Sequence, residues 1–335
     1  MNWVKLGKSA RECSVDIAWA QWGAVARFVT RPLQVQSTID PEALLLASLY
    51  LGEHERRLTR LTAWWAVKGA RLLSVQRTKN LLPLYPPVVE QRLGEFALIA
   101  ARDGHDIRWK SLAGSAQSYH PSPRPKDLAS TPELKDPAAL MLRLRSGFGV
   151  GIKADVLAFL IGREGAPATF REIAAATGYY GRAVRRAVEE MAAARFVRPA
   201  RTTPASYGVN PEAWRGVLEL PESPPLWRFW NANYAFVVSL MEVTATDRQS
   251  SPYVPSQETA KSTAQPGRVV ERPAIEEATP YLQSRRAREL VDQYGQVFAH
   301  HGIEMGAAEE FPGEAFLEPF AQGTNELLDR LPEFA

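Results

Sequence analysis

Apolar residues recur at helical spacing along most of this chain of 335 residues. Between 14 and 112 the spacing predicts a run of helices, and the segment 43–51 is apolar on almost every side. Asp40 and Pro41 precede that segment as an N-cap and a proline at the first helical position. A helix that is apolar on most of its surface must be buried, so we expect this one to be buried on several sides within a helical N-terminal domain over 1–115.

Tryptophan is concentrated in this first part of the chain, which contains six of the nine. They are Trp3, Trp19, Trp22, Trp64, Trp65 and Trp109. A bulky helical core is the interpretation that we favour. A ligand pocket or a dimer seam would use the same residue types.

The helical segments become shorter between 152 and 209, where the spacing predicts three short helices followed by two strands. Thr169 and Glu172 have the spacing of a capping box, so the second helix is expected to begin there. Gly178 is suited to end it, because glycine accepts the left-handed backbone of a helix C-terminus.

The third of these helices, from about 180 to 194, has two different faces. Its apolar stripe should point into a small core and consists of Val184, Ala187, Val188 and Met191. On the other side, in the first two turns, are Arg182, Arg185 and Arg186. A guanidinium group can meet a phosphate or fork onto guanine in a major groove.

Two β-compatible stretches follow, at 196–198 and 206–209, around a Thr-rich turn without acidic residues. They predict a β-hairpin. The segments 170–173, 176–180, 184–188 and 191–197 resemble the winged helix-turn-helix of bacterial MarR-like and ArsR-like transcription regulators. This resemblance implies a mainly α protein with a central winged helix-turn-helix domain over 138–220 and a small hairpin wing.

The resemblance also implies which side chains contact double-stranded DNA. The third helix would read the major groove, the second helix and the turn would reach phosphates, and the wing would approach the adjacent backbone or minor groove. The implied contact residues are Arg171, Tyr179, Tyr180, Arg182, Arg185, Arg186, Arg198, Arg201, Thr202 and Thr203. The regulators of this family usually act as homodimers, and a small-molecule effector is possible.

Charge is divided unevenly along the chain. Residues 1–149 carry 21 basic and 13 acidic side chains, a net of +8, and residues 150–216 carry 10 and 6, a net of +4. Residues 217–335 carry 9 basic and 18 acidic side chains, a net of −9. The first two regions could therefore face a polyanion, and the basic edge at 72–79 would either touch phosphate or be solvated.

The rest of the chain divides around these regions. Residues 116–137 are rich in Pro and Ser and predict a linker. Residues 221–335 predict a helical C-terminal region, in which 226–241 is strongly apolar and 245–279 is a polar loop. The apolar segment could be a core element or a dimerisation helix, and with the Trp-rich segment 17–65 it could form the dimer seam.

No catalytic motif, metal site or cofactor site is predicted. The glycines before Lys153 lack the strand and the following hydroxyl of a phosphate loop, since Ala154 comes next. His300 and His301 are adjacent, so their side chains diverge on a helix, and Cys13 has no evident base. The N-terminus lacks a secretory pattern and no apolar run is long enough to span a membrane, so we expect a cytoplasmic protein.

The sequence therefore favours a transcriptional regulator that binds duplex DNA in a sequence-specific manner. A winged helix can also bind another protein, as in an antitoxin or a defence-system component. A third interpretation is a ligand receptor or an enzyme that acts through the Trp-rich domain.

Overall fold

The computed structural model describes residues 3–26, 29, 35–114, 130–249, 280–305 and 310–335. It is mainly helical and includes one small, three-stranded antiparallel sheet, as the sequence predicts at that level of detail. None of the described helices has both the length and the apolar character needed to cross a bilayer. The predicted linker residues 116–129 and loop residues 250–279 lie outside the described part of the chain.

The elements follow one another in three groups along the chain. The first group is α1 (Trp3–Val25), α2 (Pro41–Leu51), α3 (Arg56–Lys68), α4 (Val75–Leu81), α5 (Pro87–Arg102) and α6 (Lys110–Ala113). The second is α7 (Leu140–Phe148), α8 (Ile152–Ile161), β1 (Ala168–Thr169), α9 (Phe170–Thr177), α10 (Gly181–Ala193), β2 (Arg198–Ala200), β3 (Ser206–Gly208) and α11 (Pro211–Leu218). The third is α12 (Trp230–Gln249), α13 (Pro280–Tyr294), α14 (Gln296–His300) and α15 (Leu317–Phe334).

Helix α2 lies at the centre of the first group, and every one of its residues is buried. The Asp40 carboxylate caps it by accepting a hydrogen bond from the Ala43 backbone N–H at 3.1 Å, and Pro41 occupies its first turn. Both features agree with the sequence, because a cap and an all-apolar run are local signals. The surrounding helices shield all sides of α2 from water.

The tryptophans of this region fill its core rather than a pocket. Trp22, Trp64, Trp65 and Trp109 are each at most 1% exposed. Trp22 packs edge to face on Trp65 at a centroid distance of 5.2 Å, and Phe96 packs in the same way on Trp109 at 5.1 Å. Aromatic pairs favour such offset contacts, so the interpretation of these residues as a core is confirmed.

The first and third groups share one hydrophobic core, whereas the sequence predicts two separate regions. Helix α12 packs on α1 and α2, and α15 packs on α1. The backbone N–H of Gln36 donates to the carbonyl of Ala335 at 2.9 Å, which ties the two groups together. We call this unit, α1–α6 with α12–α15, the helical body, and we call α7–α11 the central unit.

Two predictions for the third group are corrected by this packing. Helix α12 continues to Gln249, so the polar loop does not begin at 245. The apolar residues of 230–241 and of 17–65 are largely buried inside the helical body. Neither segment is therefore free to form the predicted dimer seam.

The central unit has its own core and contains the small sheet. The order along the chain is α8, β1, α9, α10, β2, β3, and β3 lies between the other two strands. Tyr207 of β3 is opposite Ala168 on one side and Pro199 on the other. The sequence predicts the β2–β3 hairpin but not β1, because two residues are too few to show a strand pattern.

Five charged side chains meet where the two units join, and each is at most 2% exposed. We call them the junction cluster: Asp40 and Glu42 beside and on α2, Arg77 on α4, Arg145 on α7 and Asp155 on α8. Arg145 donates to Glu42 at 2.6 and 2.9 Å and to Asp155 twice at 2.7 Å. Arg77 donates to Asp40 twice at 2.5 Å and to Glu42 at 2.6 Å.

The cluster contains three carboxylates and two guanidinium groups, a formal excess of one negative charge. Hydrogen bonds from uncharged donors stabilise this excess negative charge. The backbone N–H of Ser74 donates to Glu42 at 2.7 Å, and the hydroxyl of Tyr179 donates to Asp155 at 2.8 Å. Buried charge is tolerated only when it is paired and hydrogen-bonded in this way.

These contacts outweigh the effect of burial on protonation. Burial alone would raise the pKa of Glu42, but Arg145 and Arg77 lower it below its usual 4.5. Burial alone would lower the pKa of Arg77, but Asp40 and Glu42 raise it above its ordinary value. Glu42 and Arg77 are therefore held in their charged forms at neutral pH.

We predict that Arg145→Ala strongly destabilises the protein. The change leaves the carboxylates of Glu42 and Asp155 buried with fewer partners, which costs about 3–5 kcal/mol in comparable buried pairs. Urea denaturation followed by circular dichroism measures the loss. The exposed pair of Lys8 and Glu12 provides the control, because Lys8→Ala should change the free energy of unfolding by less than about 1 kcal/mol. Equal, small effects of both changes would contradict the importance of the cluster.

A second prediction concerns acid. Because the folded pKa of Glu42 is lowered, its stabilisation is complete above the unfolded pKa near 4.5 and is lost as the pH falls through the folded value. The free energy of unfolding should thus differ most between the wild type and Glu42→Gln at neutral pH. That difference should shrink in acid, and a pH-independent difference would contradict the assignment.

Candidate nucleic-acid interface

The start of α9 and the turn after it are set by local sequence. The hydroxyl of Thr169 accepts from the backbone N–H of Glu172 at 3.3 Å, and the Glu172 carboxylate accepts from the Thr169 N–H at 2.7 Å. Gly178 ends the helix in the left-handed region, with φ at 71°. The predicted capping box and glycine terminus are both confirmed, and together they determine where α10 begins.

Helix α10 has the two faces that its sequence predicts. The apolar stripe is at most 3% exposed and is formed by Val184, Ala187, Val188 and Met191. The opposite face is exposed and carries Arg182, Arg185 and Arg186 in its first two turns. The buried stripe anchors the helix on α8 and α9, so the arginine face is presented to solvent.

Two of these arginines form exposed ion pairs within the helix. Arg185 is 2.9 Å from Glu189, and Arg186 is 2.8 Å from Glu190, which also meets Lys153 at 2.8 Å. The hydrogen bonds from Lys153 and Arg186 lower the pKa of Glu190 to about 2. Exposed pairs of this kind contribute only about 0–1 kcal/mol, so a phosphate or a base edge can displace them.

The N-terminus of α10 is open to an anion. Its first turn contains no acidic residue, and its N-cap residue makes no side-chain capping hydrogen bond. Tyr180 precedes the helix and is 73% exposed. Positive partial charge at a helix N-terminus favours a phosphate there.

The aromatic ring of Phe170 connects the faces of α9 and α10. The guanidinium groups of Arg171 and Arg185 each lie 5.9 Å from its centroid, within the range of a cation–π contact. Arg171 is exposed, so the two arginines bracket the ring at the surface. This arrangement extends the basic surface from α10 onto α9.

The hairpin adds the remaining residues predicted for this surface. Arg198, Arg201, Thr202 and Thr203 are all exposed. The Thr202 hydroxyl donates to the carbonyl of Pro204 at 2.9 Å and lies 2.7 Å from the Ser206 hydroxyl, which organises the turn. Within the described residues, no carboxylate forms an ion pair with Arg182, Arg198 or Arg201.

Tyr179 is placed differently from the other predicted residues. It is half-buried, and its hydroxyl points into the junction cluster towards Asp155 and Ser74. Burial and then the charge of Asp155 raise the pKa of this hydroxyl. Because the group already has buried partners, the predicted phosphate contact is corrected to a structural role.

The sequence also misses the contact between α4 and the α9–α10 turn. Arg77 donates to the Thr177 carbonyl at 2.5 Å, and the amide of Asn80 donates to the Gly178 carbonyl at 3.1 Å. The prediction that the basic edge at 72–79 touches phosphate or is solvated is thus wrong for Arg77, which is fully buried. No local pattern marks these residues, because their partners are about 100 positions away.

The other reactive side chains are used in packing. The Cys13 thiol donates to the Leu328 carbonyl at 3.3 Å, and burial raises its pKa to about 12. His300 stacks on Phe229, and His301 bonds Asn233, with burial lowering its pKa to about 4. In the described ranges, no three His, Cys, Asp or Glu side chains are grouped to hold a metal ion.

Comparison with known proteins adds no relative. No protein-family model matches this sequence, and neither a curated protein nor a solved structure matches it. The surface formed by α9, α10 and the hairpin must therefore be interpreted from its own residues.

Proposed function

We propose that the central unit is a winged helix-turn-helix and that the protein binds double-stranded DNA to regulate transcription. The observation that carries the proposal is the arginine face of α10. It is exposed in the first two turns, it stands beside a hairpin without acidic residues, and the opposite stripe is anchored in a core. A helix presented in this way can enter a major groove.

The order of elements supports the winged interpretation. Helix α8, the short strand β1, helices α9 and α10 and the β2–β3 hairpin follow one another, and the last strand lies between the other two. Helix α9 and the turn at Gly178 precede α10, which packs on α8 and α9. In the proposed arrangement the hairpin serves as the wing beside the recognition helix.

The chemistry of the face suits a duplex. The guanidinium groups of Arg182 and Arg185 can donate in a fork to O6 and N7 of guanine. The open N-terminus of α10 and the exposed Tyr180 are suited to the flanking phosphates. Arg198 and Arg201 would meet the backbone or the adjacent minor groove.

The alternatives predict different behaviour. A winged unit that binds a protein would use the same arginines on acidic side chains, as an antitoxin or a defence-system component would. Such a protein would not bind random duplex with a steep dependence on salt, whereas counterion release imposes that dependence on a DNA-binding protein. A receptor or an enzyme would act through the helical body, and a small-molecule effector remains a prediction.

A homodimer is part of the proposal, because one reading helix covers only a few base pairs. The predicted seams are buried, but another surface of the central unit is apolar and exposed. Phe148 is 49% exposed and Phe196 is 45% exposed, and each packs against the ring of Trp214. Val217, on the same helix as Trp214, is 72% exposed. We assign the dimer contact to this aromatic patch.

We predict that Arg182→Ala and Arg185→Ala each weaken binding to a preferred duplex by about 1–3 kcal/mol and relax its specificity. Arg285→Ala is the matched control, because Arg285 forms an exposed i,i+4 pair with Glu289 at 2.9 Å on α13, the same geometry as Arg185 with Glu189. Gel shifts at two salt concentrations measure these effects. If both arginine variants bind like Arg285→Ala, then α10 does not read DNA.

The dimer leads to a separate prediction. Light scattering should give twice the chain mass, and footprinting should show two half-sites about ten base pairs apart. Phe148→Ser with Phe196→Ser should yield a folded monomer with weaker binding, since both side chains are exposed. A wild-type monomer on an asymmetric site would refute the dimer and leave the DNA-binding proposal standing.

A further inference from the structure

A second basic surface lies on the helical body, on the exposed side of α4. Gln76 and Lys79 are exposed there, and Asn80 is half-buried beside them. The ammonium group of Lys79 donates to the Ser111 hydroxyl of α6 at 3.0 Å. Lys110 is the exposed neighbour of Ser111, so two lysines and several hydrogen-bonding groups share one area. We call it the α4–α6 patch.

This patch adjoins the beginning of α10. Asn80, the residue after Lys79, donates to the carbonyl of Gly178, and only Tyr179 and Tyr180 separate Gly178 from α10. Leu81 packs so closely on Gly178 that an added Cβ would lie 2.7 Å from its Cδ2. The C-terminal end of α4 therefore rests on the turn that precedes the candidate reading helix.

The two surfaces are held in one geometry. Arg77, on the inner side of α4, bonds both the Thr177 carbonyl and the buried carboxylates of α2. Arg145 connects one of those carboxylates, Glu42, to Asp155 of α8. Helix α4 is bonded to the helical body and to the α9–α10 turn, and these bonds hold the α4–α6 patch beside the start of α10.

The charge of the patch is available to an anion. Nearby acidic groups are already neutralised, since Asp106 pairs with Arg108 at 2.6 Å and Asp103 pairs with Arg102 at 3.1 Å. Within the described residues, neither Lys79 nor Lys110 forms an ion pair. Lysine and serine are donors that commonly bind the phosphates of a duplex.

We propose that the α4–α6 patch is a second DNA contact, which binds phosphates that flank the segment read by α10. This inference rests on the proposed function. Phosphates follow one another every 3.4 Å or so along the axis of each strand, so a duplex held against α10 presents backbone to the neighbouring patch. The helical body would thus add affinity without reading sequence.

The test compares the salt dependence of binding. Lys79→Ala with Lys110→Ala should make the slope of log K against log salt shallower by about 1.8, since each phosphate contact contributes about 0.9. Affinity in dilute salt should fall by at least about tenfold for every sequence, because phosphate contacts carry no base information. The ratio of the affinity for the preferred duplex to the affinity for a random duplex should stay constant.

Two further variants make the test decisive. Lys79→Arg with Lys110→Arg retains both charges and should retain the slope. Lys8→Ala with Arg285→Ala removes two positive charges from elsewhere, on α1 and α13, and should also retain the wild-type slope. A slope in the double alanine variant equal to that of the wild type would overturn this inference while the DNA-binding proposal stands. Wild-type protein that does not bind duplex DNA would overturn both.

Discussion

The junction cluster is the interaction on which the arrangement of this protein depends. Three carboxylates and two guanidinium groups are buried together, and their hydrogen bonds run from α2 and α4 of the helical body to α7 and α8 of the central unit. A buried ion pair adds little net stability compared with well-packed apolar residues, but it penalises any arrangement that separates its members. The cluster therefore acts mainly on geometry. It fixes the turn before α10 against α4, so α10 is held in one geometry relative to the helical body.

Much of the candidate interface could be predicted from the sequence, because local signals determine it. Thr169 and Glu172 are three residues apart, Gly178 ends α9 with its own backbone freedom, and the stripe of α10 follows from helical spacing. The same holds for α2, whose cap and nearly continuous apolar run predict a buried helix. Each of these features depends on residues within one or two helical turns.

Long-range partners explain what could not be predicted. Arg77 and Arg145 resemble ordinary surface arginines in the sequence, yet both are buried because Asp40, Glu42 and Asp155 come from other helices. The hydroxyl of Tyr179 also donates a hydrogen bond to Asp155 of this cluster. Strand β1 is too short to show alternation, and the shared core of α12 and α1 joins segments more than 200 residues apart. Local periodicity contains no information on such pairings.

The central claim is that α10 reads the sequence of a duplex. The most direct measurement is the selection of binding sites from a pool of randomised double-stranded DNA by the full-length protein, followed by sequencing of the bound fraction. We predict an enriched motif with guanine at the positions opposite Arg182 and Arg185, and its loss when both are changed to alanine. Recovery of the random pool without enrichment, or an identical motif with the double variant, would contradict the claim.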